Sequence, residues 1–195
     1  MKRQLKLIGM LFGLLWAQVS WADWVLQPDA SSVAFLSTKN ARVTETHGFD
    51  KIAGHIAADG AATLTIDLAS VETQIPIRNE RMRDMFFEVA KFPEANVTLQ
   101  LDAAALQQLG AGTLRHWPVK AKLSLHGVTQ SINTELLVVG LAQGGVFVTT
   151  SLPILLTVDD YGLKAGLSAL QTVAKLDSIT PVVPVMLSLV FEKKN

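Results

Sequence analysis

The chain has no cysteine, which excludes disulfides, thiol chemistry and a lipoprotein anchor on a cysteine at a cleavage site. Aromatic residues make up only 7% of the chain although 49% of it is hydrophobic. The apolar volume is therefore largely aliphatic, a composition that suits either a dry core or a greasy cavity. No apolar run reaches the roughly 20 residues that a membrane-spanning helix needs. The four histidines, His47, His55, His116 and His126, are far apart and show no HxH, HxxxH or HExxH spacing, so no metal site is expected. No serine sits in a GxSxG elbow and no glycine-rich phosphate loop is present, so neither catalysis nor a nucleotide or other cofactor is expected. Lys and Arg form no cluster of the kind a phosphate backbone requires, which argues against nucleic acid as a partner.

What is present begins with Lys2, Arg3 and Lys6 ahead of the acid-free apolar run Leu7 to Ala17, followed by Ser20 and Ala22 before Asp23. A basic start, a short apolar core and small residues at the cleavage spacing make a signal peptide, with cleavage expected after Ala22 and no membrane anchor remaining. Lys+Arg and Asp+Glu each number 17, so loss of the three leader cations leaves an exported protein that is slightly acidic. The remainder, residues 23–195, is long enough to bury a substantial core as one domain.

Period-two alternation dominates that domain. Leu64, Ile66 and Leu68 oppose Thr63, Thr65 and Asp67; Val97, Leu99 and Leu101 oppose Thr98, Gln100 and Asp102; Val119, Ala121, Leu123 and Leu125 oppose Lys120, Lys122, Ser124 and His126. These segments read as strands wet on one face only. Weaker alternation runs through Ser32 to Thr38, Phe49 to Ala57, Ser131 to Val139 and Gly145 to Leu156. Turn residues separate them, at Ala58-Asp59-Gly60, Gly110-Ala111-Gly112, Gly127 and Gly144-Gly145. Closely spaced strands favour a sandwich or barrel over alternating strand and helix units. The wet faces exclude a barrel with its outside in lipid, whereas a soluble eight-stranded barrel has an interior just wide enough to be filled or to hold one small ligand. One helix is expected from about Ile77 to Val89, closed by Phe92-Pro93, and a shorter helical turn at Ala103 to Leu109.

The one concentrated charged segment, Arg78-Asn79-Glu80-Arg81-Met82-Arg83-Asp84, reads either as a solvated helix face or as a helix near a barrel mouth with Arg78 and Asn79 turned toward a ligand head group or holding the loop closed. Near the C-terminus, Val183, Val185, Leu187, Leu189 and Phe191 share the face that lines a barrel, while Val182, Met186 and Val190 form an outer apolar strip that needs cover. Two covers are open: a helix at Gly166 to Val173, or a second copy of the chain in a homodimer.

An ordered set of short motifs adds to this. Trp24, Ser32-Val33-Ala34-Phe35, Val71-Glu72-Thr73 and Arg78-Asn79 are followed by Phe86-Phe87-Glu88-Val89, Lys91-Phe92-Pro93 and Leu125-His126-Gly127-Val128-Thr129. Across most of the domain the series resembles the YceI family of lipid- and polyisoprenoid-binding proteins. Asn79 stands where the family usually has Asp, and Asp160-Tyr161-Gly162 is similar to a family Asp-Phe-Gly element. The resemblance implies an all-β fold, a closed antiparallel lipocalin-like barrel of eight strands with an apolar tunnel and one helix packed against it. It also implies a periplasmic binder, not an enzyme, that sequesters or carries a polyisoprenoid, a quinone-like molecule or a fatty-acyl lipid. Phe35, Ile66, Leu99, Leu123, Leu125 and Val148 are then the expected tunnel residues, with Arg78 and Asn79 at the mouth. The alternative is a packed, ligand-free barrel acting through its surface as a stress-linked adaptor of a membrane redox protein.

Overall fold

The computed structural model describes residues 23–194, and the expected signal peptide, residues 1–22, lies outside the described residues. The alternation read at Val119 to Leu125 forms the inner half of a long strand, β8 (Leu114–Leu125), which runs straight into β9 (Val128–Gly140). Between them His126 and Gly127 both take left-handed φ, 51° and 78°, while Leu125 and Val128 face each other across the ladder. That is the two-residue hairpin geometry whose twist matches the strands it joins, and glycine fills the second position at no steric cost.

The same alternation builds the rest of the ring. On one edge of β12 (Val182–Lys193) lie β10 (Val146–Thr150) and then β11 (Ile154–Thr157). On the other lie β1 (Trp24–Leu26) and then β2 (Ser32–Lys39). From β2 and β1 the sheet continues to β3 (Val43–Phe49) and β4 (Ile52–Ile56). These pair in turn with β6 (Val71–Glu72) and β5 (Ala61–Asp67). β7 (Glu94–Gln100) joins β5 to β8, and β9 pairs with β10. Counting each interrupted strand once, the result is a closed antiparallel eight-stranded barrel. Full closure leaves no unpaired edge and fixes the perimeter.

Helical segments of the described residues sit at both ends of the barrel, two of the three α-helices at the mouth and the short one after β7 at the opposite end. After β6 come α1 (Pro76–Arg81), with Pro76 in the first turn where no N–H is needed, and a π-helical turn, Met82–Phe86. The short α2 (Ala103–Gln107) is capped by the Asp102 carboxylate, which accepts from Ala105 N–H at 3.0 Å. The longer α3 (Lys164–Val173) lies across the π turn. Only glycine permits that approach, since a Cβ on Gly166 would sit 2.7 Å from the Met85 carbonyl oxygen. The helix considered as cover for the outer strip of β12 therefore packs over the barrel mouth instead, with Leu167, Leu170 and Val173 facing the interior. Val182 and Met186 remain exposed on the outside.

Face assignment is the property most easily checked, because a shift of one residue exchanges interior for solvent. Leu123 is buried inside the barrel, whereas its neighbour Lys122 is exposed. Leu123→Asp is expected to lower stability by roughly 3 kcal/mol or more, and Lys122→Asp by no more than about 0.5 kcal/mol. Urea unfolding midpoints of the two variants measure the difference directly.

Candidate functional site

The barrel interior changes character along its length. At one end it is solid: Trp24, Leu26, Ile56, Val146, Leu189 and Phe191 are all buried and pack into a plug. The Trp24 indole N–H adds a hydrogen bond to the Gly144 carbonyl, 2.9 Å away. Toward the other end the inward side chains keep residual accessible surface although they point into the barrel. Along β12, Leu189 and Phe191 are buried, while Val183, Val185 and Leu187 are only half-buried. The change marks where packed core gives way to a hollow of about 400 Å³.

The hollow is lined by small and aliphatic side chains, among them Ala95, Val97, Val119, Ala121 and Leu136. Met82, Phe86 and Phe87 close it from the π turn and its flank, and Tyr161 and Leu163 from the segment before α3. A π turn delivers these side chains because its Phe87 N–H reaches back to the Met82 carbonyl at 2.9 Å, wider than an α turn. Burial pushes the Tyr161 pKa up, which keeps this phenol neutral in the wall.

Of the residues expected from sequence, Phe35, Ile66, Leu99, Leu123 and Leu125 line the hollow, and so does Arg78. Val148 and Asn79 do not. Val148 faces inward as its parity requires, but it belongs to the plugged end, where it is paired with Leu189. Asn79 is turned toward β6. Its side-chain oxygen accepts from the Thr73 N–H at 2.8 Å and from the Thr73 hydroxyl, and its amide donates to Glu72 at 2.9 Å. Those bonds tie α1 to the barrel rim and leave Asn79 without reach to a ligand. The Glu72 carboxyl is held below its usual range, first by the Gln74 N–H and then by Asn79.

Sequence reasoning did not find a polar girdle inside the barrel. Ser37 and Lys39 on β2 and Glu45 and His47 on β3 occupy inward positions at the hollow's edge. Glu45 takes an ion pair from Lys39 at 2.8 Å and from Arg78 Nη1 at 2.9 Å. The Lys39 hydrogen bond chiefly holds the Glu45 carboxyl below its usual range against the opposing effect of burial, and Arg78 adds to it. One layer deeper, Ser37 Oγ and His47 Nε2 are 2.9 Å apart. Burial, reinforced by the Arg78 charge, pushes the His47 pKa down, so this imidazole is neutral near pH 7. The half-exposed Lys39, Glu45 and Arg78 lie where the hollow meets solvent.

The remaining motif residues form a structural clasp. The Phe92 and His126 rings pack at 4.3 Å between centroids, and a Cβ on Gly127 would touch Phe92 at 3.0 Å. The Lys91-Phe92-Pro93 segment and the β8–β9 hairpin thus lock onto each other beside the π turn. Among the described residues, no three His, Cys, Asp or Glu side chains gather into a metal-ligating group.

Among solved structures the chain is similar to a polyisoprenoid-binding domain from Saccharophagus degradans implicated in plant cell wall breakdown. The two are 41% identical with a TM-score of 0.86, covering 88% of this chain and 98% of that one. It is also similar in fold to Burkholderia cenocepacia BcnA, at 16% identity and a TM-score of 0.67, over 85% of this chain and 98% of that one. The Campylobacter jejuni YCEI protein aligns with a TM-score of 0.54 at 18% identity, covering 76% and 84% respectively. A comparison with curated proteins finds no match. The model of the YceI-like domain matches residues 24–191, from the first buried tryptophan to the last inward phenylalanine, and with the barrel, the clasp and the tunnel in place the chain belongs to the YceI family.

Proposed function

We propose that this protein binds a long-chain amphiphile, a polyisoprenoid, a quinone-like molecule or a fatty-acyl lipid, within the barrel, and sequesters or carries it without changing it. The observation that carries this reading is the hollow itself, which is apolar along its length and polar only at its edge. Inward side chains that leave a hollow of about 400 Å³ between them forgo the packing contacts that a filled barrel would make there. A barrel selected only for its outer surface has no reason to keep such a space, so the packed, ligand-free adaptor is the weaker reading. The 41% identity to a domain described as polyisoprenoid-binding supports the same ligand class.

The energetics favour a preformed tunnel. Each buried methylene contributes about 0.8 kcal/mol, against association costs of about 4–15 kcal/mol. A chain of a dozen or more carbons therefore binds well only if the protein need not reorganise, and a closed barrel meets that condition. One inward hydroxyl does meet a base, Ser37 Oγ at 2.9 Å from His47 Nε2, but the pair lacks the carboxylate that would orient the imidazole for nucleophilic chemistry, which favours carriage. The imidazole that is present, His47, has Ser37 and aromatic neighbours around it and no carboxylate hydrogen-bonded to it.

Filling the hollow separates binding from folding. Ala121 is buried in the wall, and Ala121→Trp is expected to reduce uptake of the apolar probe N-phenylnaphthylamine at least roughly tenfold, through loss of about 1.4 kcal/mol or more. Its circular dichroism should stay that of the parent barrel. Unchanged uptake would place the ligand elsewhere.

The setting proposed for this activity is the periplasm, on the strength of the basic start, short apolar core and small-residue spacing of residues 1–22. N-terminal sequencing of the protein recovered from a periplasmic extract is expected to begin at Asp23. Recovery only from washed membranes, with Met1 retained, would remove this setting.

A further inference from the structure

The tunnel wall carries one buried polar side chain with an unused nitrogen. His47 is 5% exposed and lines the hollow. Its Nε2 is taken by Ser37 Oγ at 2.9 Å, but its Nδ1 has no partner among the described residues. Arg78, which also lines the hollow, shows the same pattern: Nη1 binds Glu45, Nη2 binds the Thr73 carbonyl, and the buried Nε has no partner. A buried donor left without an acceptor costs about 1–3 kcal/mol, and native proteins rarely keep one without use. Here two occur on side chains that line one cavity.

The neutral imidazole has one N–H. When the Ser37 hydroxyl donates to Nε2, that hydrogen lies on Nδ1, and Nδ1 and Arg78 Nε are then two unsatisfied donors on side chains that line one cavity. The charges agree in sign, since Lys39, Arg78 and Arg81 line the hollow with Glu45 as the single carboxylate among them, which leaves the lining with positive charge in excess. A head group rich in donors or carrying a positive charge is disfavoured there.

Resting on the reading of the hollow as a chain-binding tunnel, we propose that His47 and Arg78 form a head-group site. It selects amphiphiles whose head presents an acceptor oxygen, with the chain below it in the apolar hollow. The acceptor is a carbonyl or carboxylate oxygen that takes a hydrogen from His47 Nδ1 and another from Arg78 Nε. Ser37 is a positioning residue that fixes the imidazole tautomer. The site gives a lipid carrier polarity: the tail enters first and the head stops at the β2–β3 wall.

Displacement of N-phenylnaphthylamine by ligands of equal chain length tests this. Hexadecane, methyl palmitate, palmitic acid and hexadecylamine would be compared on the mature protein. The two acceptor-bearing ligands are expected to bind at least roughly tenfold more tightly than hexadecane and hexadecylamine, from one or two recovered hydrogen bonds. Palmitic acid ahead of the ester identifies an acidic lipid as the source of the acceptor, and equality of the two identifies a neutral carbonyl. His47→Phe is expected to bring the ratio of acceptor-ligand affinity to hexadecane affinity, both measured on that same variant, close to one. His47→Gln, which keeps a donor, should restore part of the preference. Equal affinity for all four ligands, or a preference that survives in His47→Phe, overturns the head-group site while the tunnel reading stands. Failure of every ligand to displace the probe overturns both.

Discussion

Hydrogen bonding along both edges of β12 is the constraint on which the rest of the molecule depends. One edge holds β10 and β11, the other β1 and β2, and with that strand in place the sheet has no beginning and no end. A closed ring of fixed strand number cannot shrink to suit its contents. Its interior is then filled or hollow according to the size of the side chains that alternation sends inward. This chain uses both outcomes. Trp24 and Phe191 fill one end, whereas Ala95, Ala121 and a set of valines leave the other open. The scarcity of aromatic residues noted in the composition is thus a structural property, since aliphatic side chains outnumber aromatic ones around the hollow.

The mouth follows from the same closure. With the edges sealed, a ligand enters only through an end of the barrel, and α1, the π turn and α3 all lie at the end away from the plug. Gly166 lets α3 settle directly on the π-turn backbone, and Asn79 ties α1 to Thr73 and Glu72. Arg78, one residue away from Asn79 on the helix, is thereby presented to the hollow, where Glu45 receives it. The Arg78-Asn79 pair thus divides its work, one residue at the tunnel edge and the other holding the helix that carries it.

How far the sequence could be read follows from the physics of each segment. Val119 to Leu125 was legible because its two faces differ in polarity, and Leu123 and Leu125 fall where parity puts them. β3 was not legible as a strand, since its inward positions include Glu45 and His47 and its outward ones Thr44 and Thr46, so hydrophobic periodicity is weak there. A polar inner face is what a head-group rim requires and also what conceals it from a search for alternation. Val148 shows a second limit: parity gives the face but not the depth, and plug and hollow present the same pattern of inward aliphatic residues. Helix placement shows a third. A helix at Gly166 to Val173 is one of the two covers the chain offers for the outer strip of β12, but that it packs over the mouth instead depends on a backbone approach that only the folded structure displays.

The central claim is that the hollow is made to be occupied by a single chain-bearing molecule. Native mass spectrometry of the protein, purified without detergent, tests it most directly, because a lipid held in a closed barrel survives transfer to the gas phase with its host. The expected spectrum contains the polypeptide plus one amphiphile, released intact on collisional activation. The bare polypeptide alone, unchanged after incubation with polyisoprenoid, quinone and fatty-acid ligands, would contradict the account.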